Sequence, residues 1–226
     1  MTKSENTSAF RVIRIDDALR HDHPYLTAED ECFCLGEYQP RAGFNAGPVN
    51  NLISNYKKLV DKRGRPEYIH KERAIMTVAS LVQGVFNENA IKTCTVVPIP
   101  PSKAKTDALY DDRLVRSLRA VHADLDFREL LVTKESMRAH HEFQVGEKRP
   151  TPDDLYVKLA IDEASLQTPV KQTIILFDDV LTNGTHFKAC KRLLNERLPK
   201  CSVVGLFIGR AKRPDVLADF DIINDL

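Results

Sequence analysis

The chain has 226 residues, 42% hydrophobic and 29% charged, with a formal net charge of +1. That is the composition of a globular chain with one sizeable core, not of a disordered one, and so balanced a charge creates no overall field toward nucleic acid or a membrane. No apolar run approaches the roughly 20 residues that span a bilayer, and the polar start Met1 to Ser8 lacks a secretory leader, so a cytoplasmic protein is expected.

Residues 1–30 are polar and mixed, apart from a short apolar patch at Phe10 to Ile15. Glu31 to Tyr38 predicts a strand, with Cys32 and Cys34 read as thiols on opposite faces of it. Five cysteines at irregular spacing do not read as a disulfide framework, and no second cysteine or histidine pair completes a zinc set. Gln39 to Asn51 holds Pro40, Gly43, Gly47 and Pro48 and predicts a loop. Leu52, Ile53, Tyr56 and Leu59 then have helical spacing, and after the basic turn Lys62 to Pro66 an amphipathic helix is predicted over 67–86 from Ile69, Ala74, Ile75, Val78, Ala79, Val82 and Val85. Residues 1–90 are expected to form an accessory, hood-like region with helices.

From residue 93 the pattern changes. Thr95 to Ile99 is a short apolar run closed by prolines, a buried strand entering a rigid loop. Arg113 to His122 predicts a helix and Glu129 to Thr133 a second strand. Lys134 to Thr151 is nearly devoid of apolar residues and reads as a long functional loop. Thr151 and Pro152 suit the start of a helix over 152–162. Gln172 to Phe177 predicts a strand, 184–198 a helix, Ser202 to Ile208 a strand and Phe220 to Ile223 a last one. Short apolar strands alternating with helices over 91–226 predict an α/β core, a parallel sheet with helices on both faces.

The chemistry is concentrated in Ile174 to His186, where a buried strand leads through Asp178 and Asp179 into a Thr/Gly turn and a helix. In open α/β sheets ligands bind at the carboxyl ends of strands. The unpaired first amides of a helix, with its dipole, attract an anion. Gly184 lets backbone approach that anion, and Thr182 and Thr185 add hydroxyl donors. Carboxylates one step before the turn would repel phosphate but accept hydrogen bonds from ribose hydroxyls. Together these features describe a site for ribose 5-phosphate.

This segment resembles the phosphoribosyl-pyrophosphate (PRPP) motif of type I phosphoribosyltransferases. The resemblance rests on Asp178, Asp179, Val180, Thr182 and Gly184, and departs at Asn183 and His186, where hydroxyl residues are usual. More narrowly, the second half of the chain is similar to the amidophosphoribosyltransferase-like proteins of the competence protein F type, as a divergent relative without their four-cysteine zinc ribbon. The resemblance implies that Thr182, Asn183, Gly184, Thr185 and His186 hold the 5-phosphate and that Asp178 and Asp179 serve the ribose. It implies a pyrophosphate loop with Ser102, Lys103, Lys105 and Arg113, and a mobile loop over the site with Arg138, His140, His141 and Arg149. It implies Mg²⁺ brought with PRPP, reached by Asp178 and Asp179, and transfer of phosphoribosyl to an acceptor with release of pyrophosphate. Other readings are a regulator that binds PRPP or a nucleotide without chemistry, and hydrolysis of a nucleotide or sugar phosphate. A homodimer is a further expectation. The basic clusters Lys57-Lys58, Lys62 to Arg65, and Lys188, Lys191 and Arg192 leave a nucleic-acid partner open, with a solvated helix face the commoner meaning.

Overall fold

The computed structural model describes residues 9–138, 147 and 149–213. The sequence builds an α/β architecture around a six-stranded, mostly parallel sheet. Its centre is β7 (Thr173–Leu181), which pairs in parallel with β4 (Cys94–Pro98) on one side and β8 (Ser202–Ala211) on the other. All five residues of β4 are buried, which is why that strand reads as an unbroken apolar run. Beyond β8 lie β2 (Cys32–Cys34) and β3 (Glu37–Tyr38), both parallel to it, and then β1 (Ile13–Arg14), antiparallel to β2. Residues 31–38, expected in an accessory region, are thus strands of the central sheet, and the helices that follow them pack on it.

Those helices are α2 (Pro48–Tyr56) and α3 (Ile69–Val85), joined in one apolar cluster by α5 (Arg113–Arg119). On α3 the buried side chains Ala74, Ile75, Val78, Ala79 and Val82 follow the helical period that the sequence shows, whereas Ile69 is exposed. The opposite face of the sheet is covered by α7 (Thr185–Arg197) and α6 (Pro152–Tyr156), through Phe187, Cys190, Leu194 and Leu155. Along β7, Ile174 and Leu176 enter this second cluster and Phe177 the first, so the strand is buried from both sides. Burying one such side chain contributes about 1.5–3 kcal/mol. Two short helices, α1 (Asp17–Arg20) and α4 (Glu88–Thr93), complete the α-helices among the described residues.

Three sequence expectations change. Cys32 and Cys34 are both fully buried on one face, because residues two apart in a strand point the same way; Phe33 between them faces the other cluster. The segment at 129–133 does not join the main sheet. β5 (Leu131–Thr133) pairs antiparallel with β6 (Leu159–Ile161) in a separate two-stranded sheet. The helix expected over 152–162 accordingly stops at Tyr156. Its start is as the sequence suggests, with Pro152 in the first turn and a reciprocal capping box between Thr151 and Asp154. Leu159 and Ile161, spaced by two, then follow strand rather than helix periodicity. The strand expected at Phe220 to Ile223 lies outside the described residues.

Candidate functional site

The carboxyl ends of β4, β7 and β8 open on one side of the sheet, where ligands bind in α/β proteins. A cavity of about 870 Å³ lies there. It is lined by residues 98–103 and Lys105 after β4, by 178–187 from the end of β7 into α7, by Tyr38, Pro40 and Arg41 after β3, by Arg149, and by Lys212 and Arg213 after β8. Segments far apart in the chain that were read as phosphate, ribose and pyrophosphate contacts therefore share one cavity.

The two aspartates part company. Asp179 is 3% exposed and accepts hydrogen bonds from Lys57 Nζ at 3.1 Å, from Arg113 Nε at 3.2 Å and from a terminal nitrogen of the same guanidinium. Arg113 also donates to Asp111 at 2.7 Å, and Asp111 accepts from Lys71 Nζ at 2.6 Å. Lys71 has no exposed surface and gives a further hydrogen bond to the Lys58 carbonyl at 2.6 Å. Burial alone would raise the Asp179 pKa, but Lys57 and Arg113 outweigh it and hold this carboxyl far below the usual range. Asp179 is a buried ion-pair partner, and the ribose role expected for it is withdrawn. So is the pyrophosphate role expected for Arg113, whose charge is committed to Asp179 and Asp111. Asp178, on the alternate face of the strand, is half-buried and lines the cavity. Its carboxylate accepts the Asp179 backbone N–H at 2.7 Å. Burial, and then the charge of Asp179, push its pKa well up.

After Leu181 the chain turns. Gly184 has φ +87°, left-handed backbone that favours glycine, and it caps the start of α7. Asn183 Oδ1 accepts the Thr185 N–H at 3.2 Å, so the first helical amide is held by the turn's own side chain, which an anion would have to displace. The Thr185 hydroxyl is buried with no hydrogen-bond partner among the described residues, an unfilled polar position at the helix start.

A segment that sequence reasoning missed holds this turn from behind. His23, fully buried, contacts the Thr182 carbonyl through Nδ1. A carbonyl only accepts, so Nδ1 carries the proton and Nε2 is the bare nitrogen. The Tyr25 N–H donates to the Asn183 carbonyl at 3.0 Å, and a Cβ on Gly184 would sit 3.0 Å from Leu26 Cδ2. Asp30 accepts from Lys188 at 2.6 Å and Lys191 at 2.8 Å, tying the segment to α7. No periodicity announces these residues. The only local hint is Thr27, whose N–H and hydroxyl both donate to Asp30 three positions on.

On the other side, Ser136 Oγ accepts the Ala104 N–H at 3.1 Å and the Ser102 carbonyl accepts the Met137 N–H at 2.7 Å, which fixes the loop after β4. Within it Lys105 is paired with Glu129, while Lys103 has no ion-pair partner among the described residues. Of the expected mobile loop, Arg149 lines the cavity, Arg138 pairs with Glu147 at 2.9 Å, and His140 and His141 lie outside the described residues. Lys188 and Lys191 on Asp30, and Arg192 with Asp153 and Glu196, spend the α7 cluster on internal pairs.

Among the described residues no group of three His, Cys, Asp or Glu could hold a metal ion. No described helix is long and apolar enough to cross a membrane. The sequence matches no protein-family model and no curated protein.

Proposed function

We propose that the cavity binds PRPP or a related ribose 5-phosphate compound, and that the chain is a phosphoribosyltransferase-like protein that transfers the phosphoribosyl group to an acceptor with release of pyrophosphate. The observation that carries this reading is the convergence, in one cavity, of a carboxyl group at Asp178 with no ion-pair partner among the described residues, the Gly184 turn opening α7 and the cationic loop after β4. The 5-phosphate would take the α7 amides and the Thr185 hydroxyl, with Asn183 swinging off the Thr185 N–H. Asp178 would accept the ribose hydroxyls. Ser102, Lys103 and Arg149 would receive the pyrophosphate, whose charge grows as the bond to ribose breaks. His23, Tyr25 and Leu26 hold the turn in place for this, and Lys57 and Arg113 keep Asp179 from adding a second free negative charge beside Asp178.

The same geometry favours one further reading, a regulator that binds such a ligand without chemistry. One carboxylate of the pair is withheld, and the first turn amide is already occupied. Pyrophosphate release in the presence of candidate acceptors separates the two.

Calorimetric titration of PRPP with Mg²⁺ tests the binding itself. Asp178→Asn should weaken PRPP by about tenfold or more, the equivalent of one charge-assisted hydrogen bond, with the fold intact. Wild-type protein that does not bind PRPP, or an Asp178→Asn variant that binds it as tightly, overturns the assignment.

A further inference from the structure

Ligand binding at the β7 turn and the β4 loop leaves part of the cavity unexplained. Its far edge, after β3 and β8, carries Arg41, Lys212 and Arg213. The two ends are knit together: Tyr38 pairs with Ala211, and the Lys212 N–H donates to the Tyr38 carbonyl at 3.0 Å. Strand order puts β7 between β4 and β8, so this edge is two strands, about 10 Å, from the β4 loop, with Asp178 between them.

The cations there are at most weakly paired within the fold. Arg41 and Arg213 are exposed and have no ion-pair partner among the described residues, and Lys212 makes only a long ion pair, 3.9 Å, with Glu37. Glu37 is already bound to Arg210 at 2.6 Å. Three acids that line the cavity are, by contrast, closely matched: Asp179 with Lys57 and Arg113, Glu129 with Lys105, Asp22 with Arg210.

Arg41 adds a second, independent observation. The Ala42 N–H reaches the Gln39 carbonyl at 3.4 Å, so Gln39 to Ala42 form a turn with Pro40 second and Arg41 third. Arg41 has φ +67°, and it is the only non-glycine residue with positive φ among those described. Third position in a turn with positive φ is where glycine or asparagine is favoured. A long cation held in left-handed backbone at a cavity rim is a position where side-chain function outweighs backbone preference.

We propose that this edge binds the negative group of a second ligand, an anionic acceptor bearing a carboxylate or a phosphate, through Arg41, Lys212 and Arg213. That this ligand is the acceptor rests on the phosphoribosyl reading above; that the edge takes an anion rests on the cations alone. A neutral base would leave Arg41 and Arg213 unmatched and Lys212 with only its long contact to Glu37, so the edge selects against it.

Ligand-observed NMR on the full chain tests this with three probes of similar size: benzoate for the carboxylate, phenyl phosphate for the phosphate, and benzamide as the neutral control. At least one anionic probe should bind roughly tenfold more tightly than benzamide, and Arg41→Gly with Lys212→Gln should remove most of that preference. Glycine suits the backbone at position 41, and Arg41→Asn, which tolerates the same φ, is the second variant should the first unfold. Equal binding of all three probes, binding of none, or an anion preference that survives both variants overturns the proposal. PRPP is titrated separately: wild-type protein that binds an anionic probe but not PRPP keeps the anion site and removes the phosphoribosyl reading.

Discussion

The floor and the rim of the cavity use charge in opposite ways. On the floor Lys57, Lys71, Asp111, Arg113 and Asp179 form one hydrogen-bonded chain in which each charge faces an opposite one. At the rim Asp178, Lys103, Arg149 and Arg41 line the same space without ion-pair partners among the described residues. Paired charges under a cavity are structural, since removing one leaves its partner buried and uncompensated. Unmatched charges around it are available to a ligand. The contrast is sharpest between Asp178 and Asp179, adjacent in sequence but turned to opposite faces by the strand's pleat.

Arg113→Met is the strongest way to break this division. It strips a guanidinium from both Asp179 and Asp111, and should cost about 3–5 kcal/mol of stability in urea unfolding, the range for half of a buried pair. Lys103→Met at the rim should leave the unfolding midpoint nearly unchanged. A loss for Arg113→Met of under about 1 kcal/mol, the value of an exposed pair, would return Arg113 to the ligand-binding set.

His23→Gln sets the backing of the turn against the turn itself, with a smaller effect, about 1–3 kcal/mol for a buried hydrogen bond disturbed. Burial, opposed by the hydrogen bond to Thr182, holds the His23 pKa below its ordinary value; Arg210 and Arg213 add to the lowering and Asp22 resists it. A group with a depressed folded pKa takes up protons more readily when unfolded. Its stabilising effect is therefore present above the ordinary histidine pKa and is lost as pH falls. The stability gap between wild type and His23→Gln should shrink between pH 8 and pH 5; a gap independent of pH would mean that His23 is not held neutral.

What the sequence made legible was local. The strand, the acidic pair, the Gly184 turn and α7 are contiguous, so period and turn chemistry reveal them together. Period also found α3, and Thr151 with Pro152 marked the start of α6. Tertiary partners were invisible. Arg113 and Asp179 meet across 66 positions, and His23 reaches Thr182 across 159. Nothing near Arg113 in sequence distinguishes a buried ion-pair donor from a ligand-binding cation, so it was read with the cationic loop before it. β5 is expected in the main sheet for the same reason: Leu131–Thr133 is apolar enough for either sheet, and its true partner, Leu159–Ile161, falls at the end of the helix expected over 152–162. Pattern identifies an element's type, whereas pairing decides its neighbours.

The finest form of the comparison lies within one loop. Lys103 and Lys105 are two residues apart, and the sequence treats them as equals. Lys105 faces Glu129, with side chains 47% and 27% exposed, so part of its charge is already screened and shared. Lys103 is half-buried at the cavity and has no ion-pair partner among the described residues, only a weaker, longer-range attraction to Asp107. Lys103→Ala should therefore weaken PRPP by about tenfold, and Lys105→Ala by clearly less, because Glu129 already competes for that ammonium. Each should change stability by no more than about 1 kcal/mol, as expected for exposed or unpaired surface charge. Equal losses of PRPP affinity in the two variants would mean that the Glu129 pair opens when ligand arrives, and that pairing in the free protein does not decide which cations a ligand can use.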